Sequence, residues 1–270
     1  MKKFRPHLML ATLAVACAGL TAGSPQAQAN TLDEIMQQKV LRVAIDLNAP
    51  PYGMKDDALK AVGSDVETAQ LIADNLGVKL EIVPTTQANR IPFLLTNKAD
   101  VVISSLSITD QRKKVVDFTI PYAAIQSVIA APKDMAIKEM SDLAGKTVVT
   151  ARGTTNDNNV TRLAPAGTNI VRFENDATAI TAITSGQASI FSTAPSIVAS
   201  LNKKDPAKAL DIKVVMATAM MGFGVTKDNT ALKDKLNTLI REDLKSGQLN
   251  EIFKKYHGTD LPEEVIAEGA

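Results

Sequence analysis

The chain has 270 residues, 45% of them hydrophobic and 4% aromatic, a composition typical of a globular protein with one large or two modest lobes. Its 30 basic and 29 acidic residues nearly balance, which excludes the basic field of a nucleic-acid-binding protein. One cysteine and two histidines are too few for a His-based catalytic triad or a typical zinc site, and no phosphate-binding glycine motif occurs. We therefore predict no metal, no cofactor and no nucleic-acid partner.

The first 29 residues have the pattern of a secretory signal peptide. Basic residues precede an apolar run from Leu8 to Leu20, and Ala27-Gln28-Ala29 ends the segment. The run is shorter than the ~20 residues of a membrane-spanning helix. Removing the three basic residues of this segment leaves 27 basic against 29 acidic ones, a formal charge of −2 for residues 30–270. We expect an exported protein.

Cys17 leaves two forms of the exported protein open. A chain cut after Ala29 has no cysteine, hence no disulfide and no thiolate. Residues 14–17 partly resemble a lipoprotein cleavage box, with Ala14 in the place of the usual leucine. We favour free release after Ala29 over a lipid anchor on Cys17.

Strand and helix patterns alternate along the rest of the chain, which is typical of parallel βα units. The first set predicts strands over residues 41–46, 80–83 and 101–104 and helices over residues 64–76 and 91–96. Ser64 and Glu67 have the spacing of a capping box, and Gly77 is a stop signal for that helix.

The pattern then starts again, which predicts two similar lobes. The second set predicts strands over residues 146–150, 170–173 and 189–192, a helix after residues 153–156 and a helix over residues 177–184. A strand over residues 127–131 would cross between the lobes, and residues 213–216 and 222–225 would return. We predict one lobe from residues 30–122 and 217–270 and another from residues 123–216.

Hydroxyl groups cluster directly behind the apolar strand of residues 101–104. The carboxyl ends of such strands are where α/β proteins bind ligands, and a guanidinium with hydroxyl donors can hold an anion. Alternatively, the segment is a serine-rich turn that caps the next helix, with Arg112 paired to Asp110 or Asp117. The candidate ligand-binding residues here are Ser104, Ser105, Ser107 and Arg112.

The second predicted lobe repeats this arrangement. Gly153-Thr154-Thr155-Asn156 follows a strand and precedes a helix, so backbone N–H groups and threonine hydroxyls could bind a carboxylate or phosphate. The alternative is an ordinary threonine N-cap. Both strand exits could face each other across a cleft.

Further candidates lie in the first predicted lobe. Asp46 ends the first strand and could accept a ligand ammonium, with Tyr52 as an aromatic wall. Arg90, next to Asn89 at a helix start, could meet a second acidic group of a ligand. The alternatives are an Asx-turn aspartate and a surface arginine.

These segments resemble the periplasmic polar amino-acid-binding proteins of ABC importers, the family 3 solute-binding proteins. The resemblance covers residues 32–258 and is carried mainly by LRVAID at 41–46, KADVVISSLSIT at 98–109 with Arg112, and GQLNEIFKKY at 247–256. It implies an α/β, two-lobed periplasmic binding protein fold of type II. Each lobe would be a mainly parallel sheet flanked by helices, joined to the other by two crossing strands.

The resemblance also implies residue roles. Arg112 would bind the α-carboxylate of an amino acid, with Ser107 and Thr155, while the Ser105 carbonyl and Asp46 would accept from its ammonium. We expect no catalytic residue. The complete expected ligand-binding set is Asp46, Tyr52, Gln87, Asn89, Arg90, Ser104, Ser105, Ser107, Arg112, Thr154, Thr155, Asn156 and Thr193.

Some positions depart from the family pattern. Ala194 stands where many members have an aspartate for the ammonium, and Ala49 and Gln87 stand where many stack the ligand. The segment with Asn89 and Arg90 resembles the corresponding segment of the glutamate- and aspartate-binding members. The departures favour a polar amino acid as the ligand, and the Asn89-Arg90 pair favours an acidic one.

We therefore expect a monomeric periplasmic receptor that closes on a small zwitterionic solute and delivers it to a membrane ABC permease. Two alternatives stay open. The same fold hosts periplasmic dehydratases or lyases, whose acid and base residues leave no sequence signature. It also serves as the ligand-sensing partner of membrane signalling receptors.

Overall fold

The computed structural model describes residue 1 and residues 31–269. Apart from Met1, the predicted signal peptide and its Cys17 lie outside the described residues. Within residues 31–269, none of the helices has the length and apolar character needed to cross a membrane.

The first part of the chain builds most of one sheet and its helices. Its elements are α1 (Leu32–Gln38), β1 (Val40–Ile45), β2 (Met54–Lys55), β3 (Ala61–Val62), α2 (Ser64–Leu76), β4 (Lys79–Pro84), α3 (Arg90–Leu95), β5 (Val101–Val102), α4 (Asp110–Lys113) and β6 (Val116–Phe118).

The middle of the chain builds a second sheet. Its elements are β7 (Ala123–Ala131), a 3₁₀ turn (Met140–Leu143), β8 (Thr147–Ala151), α5 (Thr155–Leu163), β9 (Asn169–Phe173), α6 (Asp176–Thr184), β10 (Ile190–Thr193), α7 (Pro195–Lys204), a 3₁₀ turn (Pro206–Lys208) and β11 (Asp211–Met221).

The last part returns to the first sheet. Its elements are β12 (Gly224–Thr226), α8 (Thr230–Lys245), α9 (Gln248–His257), α10 (Glu263–Ile266) and a final 3₁₀ turn (Ala267–Gly269).

Each sheet has five strands, in the orders β4-β1-β5-β12-β6 and β11-β7-β10-β8-β9, and β2 and β3 form a separate hairpin. β4, β1 and β5 are parallel in the first sheet, as are β9, β8 and β10 in the second. The remaining pairs are antiparallel. The parallel strands place their carboxyl ends at one edge of each sheet, where the predicted site residues follow.

A long antiparallel ribbon of β7 and β11 connects the two sheets. Its register runs from Asp211 opposite Ala131 to Met221 opposite Ala123. At the far end, the N–H of Ile108 donates to the Met220 carbonyl at 2.8 Å, which joins the ribbon to the first sheet. β11 runs on past residue 216, so the lobe boundaries at residues 122/123 and 216/217 stay a prediction.

The predicted capping box at the start of α2 is wrong. Gly63 precedes the helix and makes no side-chain cap, while the Ser64 Oγ lies 3.0 Å from the Nε2 of His257. Glycine is required because its φ is +133° and a Cβ would lie 2.2 Å from the Tyr52 carbonyl oxygen. This close approach fixes Tyr52 against the first turn of α2. The predicted stop at Gly77 is confirmed by its left-handed φ of +67°.

Candidate ligand-binding site

A small cavity, with an empty volume of about 290 Å³ that includes space open to solvent, lies between the two sheets. Most of the predicted site residues line it. The lining consists of Tyr52, Gln87, Arg90, Ser105, Ser107, Ile125, Thr154, Thr155, Asn156, Asp176 and Ile197. The predicted residues that do not line it are Asp46, Asn89, Ser104, Arg112 and Thr193.

The turn behind β5 is held in place by its own polar groups. The Ser104 hydroxyl accepts from the Asp46 N–H at 2.9 Å, which ties the ends of β1 and β5 together. Ser105 adopts a left-handed φ of 43°, which is rare for a residue with a side chain and points to a constrained site. Beneath it, the buried Asp65 carboxylate accepts from the Tyr122 hydroxyl at 2.9 Å. Burial raises the pKa of Asp65 to about 6.

Arg90 is buried and is not the surface arginine of the alternative interpretation, since only 2% of its surface is exposed. Its guanidinium donates to the carbonyls of Gln87 at 2.9 Å, Ser104 at 2.8 Å and Gly153 at 3.3 Å. It also donates to the Ser105 carbonyl at 3.2 Å, the group that we expected to accept from a ligand ammonium. Burial lowers the pKa of Arg90 to about 10, against the opposing effect of nearby carboxylates. The side chain therefore remains charged at neutral pH and holds backbone from both halves of the molecule.

Arg112 lies beside the cavity and does not pair with Asp110 or Asp117. Its Nη1 donates to the Ser107 carbonyl at 2.8 Å and its Nη2 to the Gly153 carbonyl at 3.1 Å. Asp117 pairs with Lys227 at 2.9 Å instead. Burial, and then the charge of Arg90, lower the pKa of Arg112 to about 9. A guanidinium carries five N–H donors, so these two bonds leave capacity for an anion.

The two strand exits predicted to face each other do meet. The hydroxyl oxygens of Ser107 and Thr155 lie 3.2 Å apart. The N-cap alternative is right for the neighbouring Thr154, whose Oγ1 accepts from the Asp157 N–H at 3.0 Å. Thr155 is the first residue of α5 and is free to present its hydroxyl to the cleft.

Gly153 allows this close approach. Its φ is +77°, and a Cβ there would lie 2.8 Å from the Ala88 Cα across the cleft. Both Arg90 and Arg112 donate to its carbonyl. On the Tyr52 side, the Ser196 hydroxyl donates to the Tyr52 hydroxyl at 2.9 Å. The structure therefore shows the two halves closed on each other.

Asp46 forms the Asx turn that was the alternative to a ligand contact. Its Oδ1 accepts from the Asn48 N–H at 2.8 Å, two residues along the chain. Its Oδ2 is buried and has no hydrogen-bond partner within residues 31–269. Burial raises the pKa of Asp46.

Asp176 is a cavity residue that the sequence did not indicate. It begins α6 and is 2% exposed, and its Oδ1 has no hydrogen-bond partner in the described part of the chain. Burial, and then the nearby Asp46, raise its pKa to about 7. The next residue, Ala177, donates its N–H to the Asn48 carbonyl of the other half at 2.9 Å. An acidic residue in a first helical turn is so common that it gives no signal of function.

The bacterial extracellular solute-binding proteins, family 3, match residues 41–259. The chain belongs to this family. A glutamine-binding protein of Geobacillus stearothermophilus is 32% identical over 193 residues, 70% of this chain and 73% of that protein. An ABC transporter glutamine-binding protein of Bacillus subtilis (strain 168) is 28% identical over 245 residues, 89% of each chain.

A solved structure of a mutant ArgBP from T. maritima superposes with a TM-score of 0.78 at 35% identity, covering 84% of this chain and 99% of the other. The predicted family and its type II, two-lobed α/β fold are therefore confirmed. Amino-acid transport and an extracellular setting are properties of this family.

One relative with a different activity is also similar. A cyclohexadienyl dehydratase of Pseudomonas aeruginosa is 38% identical over 122 residues, which is 45% of this chain and 44% of that enzyme. The similarity spans less than half of either protein.

Proposed function

We propose that the protein captures a polar zwitterionic amino acid between its two lobes in the periplasm and delivers it to an ABC permease. The observation that carries this proposal is the meeting of Ser107 and Thr155, 3.2 Å apart and beside Arg112. A carboxylate placed there would accept hydrogen bonds from both halves of the molecule. The predicted roles of Arg112, Ser107 and Thr155 thus form one α-carboxylate site.

Closure follows from the distribution of these donors. In an open protein, only Arg112 and Ser107 would contact the carboxylate, whereas the closed protein adds Thr155. A ligand shifts the population only through such differential contact. The closed state would therefore be the state that a permease recognises as loaded.

The charges around the cavity favour a polar ligand over an acidic one. Arg90, which we expected to face a side-chain carboxylate, already donates to four backbone carbonyls. Asp46 and Asp176 are buried close enough to affect its pKa. An acidic side chain would add negative charge to this group, so we do not carry the acidic ligand forward.

A dehydratase or lyase is the second candidate function, because one observation favours it. The pKa of Asp176 near 7 keeps part of this cavity residue protonated at neutral pH, as a general acid requires. The partial similarity to a dehydratase points the same way. Loss of water from a bound hydroxyl-bearing ligand, followed by mass spectrometry, would identify such an enzyme.

Thermal unfolding of the purified, ligand-stripped protein tests the receptor proposal. Each amino acid, a set of small dicarboxylates and a set of simple amines are added at high concentration. A ligand at ~1,000 times its dissociation constant adds about 4 kcal/mol to the free energy of unfolding. Stabilisation by amino acids, and not by the dicarboxylates or amines, supports the proposal, while no shift with any α-amino acid overturns it.

A further inference from the structure

Two residues that line the cavity have a buried oxygen without a hydrogen-bond partner among the described residues, namely Asn156 Oδ1 and Asp176 Oδ1. Four further oxygens of this kind belong to residues that do not line it: Asp46 Oδ2, Thr86 Oγ1, Thr193 Oγ1 and Asp243 Oδ2. A carboxylate or amide oxygen only accepts hydrogen bonds, and leaving a buried acceptor unsatisfied is unfavourable. The two cavity oxygens therefore favour a ligand that brings N–H donors.

The formal charges of the buried side chains around the cleft also favour a ligand with a positive charge. The buried groups around the cleft are two arginines, Arg90 and Arg112, and three aspartates, Asp46, Asp65 and Asp176. Asp176 is partly protonated in the ligand-free protein at neutral pH. When all three aspartates are ionised, a bound zwitterionic amino acid leaves the group with one net negative charge, and an acidic one leaves two. A cationic side chain brings the total to zero, which is the favourable state for charges removed from water.

The two kinds of charge lie in different parts of the site. The neighbouring charge that affects the pKa of Arg112 is that of Arg90. The pKa of Arg90, by contrast, is affected by the charges of the three aspartates. The anion-binding end is therefore at Arg112, and the acceptor end is at Asp176. Ile125 and Ile197 also line the cavity and supply apolar surface for the methylene stem of a long side chain.

We propose that Asp176 is a specificity-determining residue that binds the guanidinium or ammonium group of a cationic amino-acid side chain. Asp176 lines the cavity, and its free Oδ1 is an available acceptor. The proposal rests on the proposed function, since it names the side chain of the amino acid that the receptor captures. Asn156 Oδ1, on the same cavity wall, is available for a second N–H of the cation.

Calorimetric titration with L-arginine and L-citrulline tests this role, because the two differ in little but the charge at the end of the side chain. We expect the wild-type protein to bind arginine at least ~10-fold more tightly, as a charged hydrogen bond contributes ~1.5–3 kcal/mol. Asp176→Asn should reduce this preference to about twofold or less. The exposed Asp57→Asn is the matched control and should keep the wild-type preference.

The outcomes separate the two proposals. A wild-type protein that binds citrulline as tightly as arginine, or an Asp176→Asn variant that keeps the preference, overturns the role of Asp176 and leaves the receptor intact. No binding of any α-amino acid overturns both. The wild-type comparison needs no substitution, and Asp176→Ser provides a second variant if Asp176→Asn unfolds.

Discussion

Ser107 and Thr155 come from different sheets, 48 residues apart in sequence, yet their hydroxyl oxygens lie 3.2 Å apart. Ser107 follows the parallel strand β5, and Thr155 begins the helix that follows the parallel strand β8. Each therefore belongs to the ligand-binding edge of its own sheet. Their meeting is the observation behind our proposal that a ligand bridges the two lobes.

Removing either hydroxyl should weaken ligand binding. Ser107→Ala and Thr155→Val should each cost ~1–3 kcal/mol of binding free energy, because a carboxylate would lose one hydrogen bond. Their effects should not add, since the two groups act on one carboxylate. Titration calorimetry of the two single variants and the double variant measures the coupling.

The exposed Ser189→Ala is the control for these variants and should bind like the wild type. Strictly additive losses in the double variant would mean that the two hydroxyls do not share a ligand group.

Arg112→Ala should weaken binding by about 2–5 kcal/mol, because it removes the positive partner of a buried carboxylate. The exposed Arg241→Ala should leave affinity unchanged. Calorimetry measures both affinities. If Arg112→Ala binds the ligand as tightly as the wild type, the role of Arg112 is structural and consists of its hydrogen bonds to the Ser107 and Gly153 carbonyls.

Gly153→Ala should prevent full closure. A methyl group there would lie 2.8 Å from the Ala88 Cα, and this contact exists only when the two halves meet. Gly167→Ala is a matched control, because its φ of +86° is equally left-handed but its nearest atom lies 3.8 Å away. Both variants should lose ~1 kcal/mol of stability through backbone strain.

Only Gly153→Ala should also lose ligand affinity. A comparison of thermal unfolding and ligand titration for the two variants separates strain from blocked closure. Equal ligand affinity in both variants would contradict the closure described here.

Asp176 should make the stability of the ligand-free protein depend on pH. Its folded pKa of about 7 lies above the ordinary aspartate value, because burial and then the charge of Asp46 raise it, while the charge of Arg90 acts in the opposite direction. The folded state therefore holds a proton that the unfolded state has released, and stability falls as the pH rises from about 4 to about 7. The slope attributable to one such group is at most ~1.4 kcal/mol per pH unit.

Chemical denaturation of wild type and Asp176→Asn at several pH values isolates this effect. The variant has no titrating group at this position, so its stability relative to the wild type should increase with pH up to about 7. A pH-independent difference would show that Asp176 does not titrate in this range.

The sequence predicted the parts of the fold that depend on local pattern. The parallel strands, the end of α2 at Gly77 and the hydroxyl-rich exits all follow from apolar runs and their turn residues. The capping box at Ser64 failed because a long-range contact decides the N-terminus of α2. The Tyr52 carbonyl lies so close to Gly63 that residue 63 cannot carry a side chain. The Ser64 hydroxyl contacts His257 instead of capping the helix.

The candidate site was predictable where donor residues follow a strand, and not where burial decides. Ser107, Thr155 and Arg112 were selected because they follow strands, and the structure brings them together. Asp176 stands in an ordinary first helical turn, and nothing in the local pattern shows that the residue is only 2% exposed. Arg90 was predicted as a site residue, but its position at a helix start gave no sign that its guanidinium would donate to four backbone carbonyls.

Small-angle X-ray scattering of the ligand-stripped protein, titrated with the amino acid that most stabilises it, tests the central claim most directly. The account predicts that the radius of gyration decreases with ligand, saturates with the calorimetric affinity, and does not decrease for Gly153→Ala. A bound amino acid that leaves the wild-type scattering unchanged would contradict capture by closure of the two lobes.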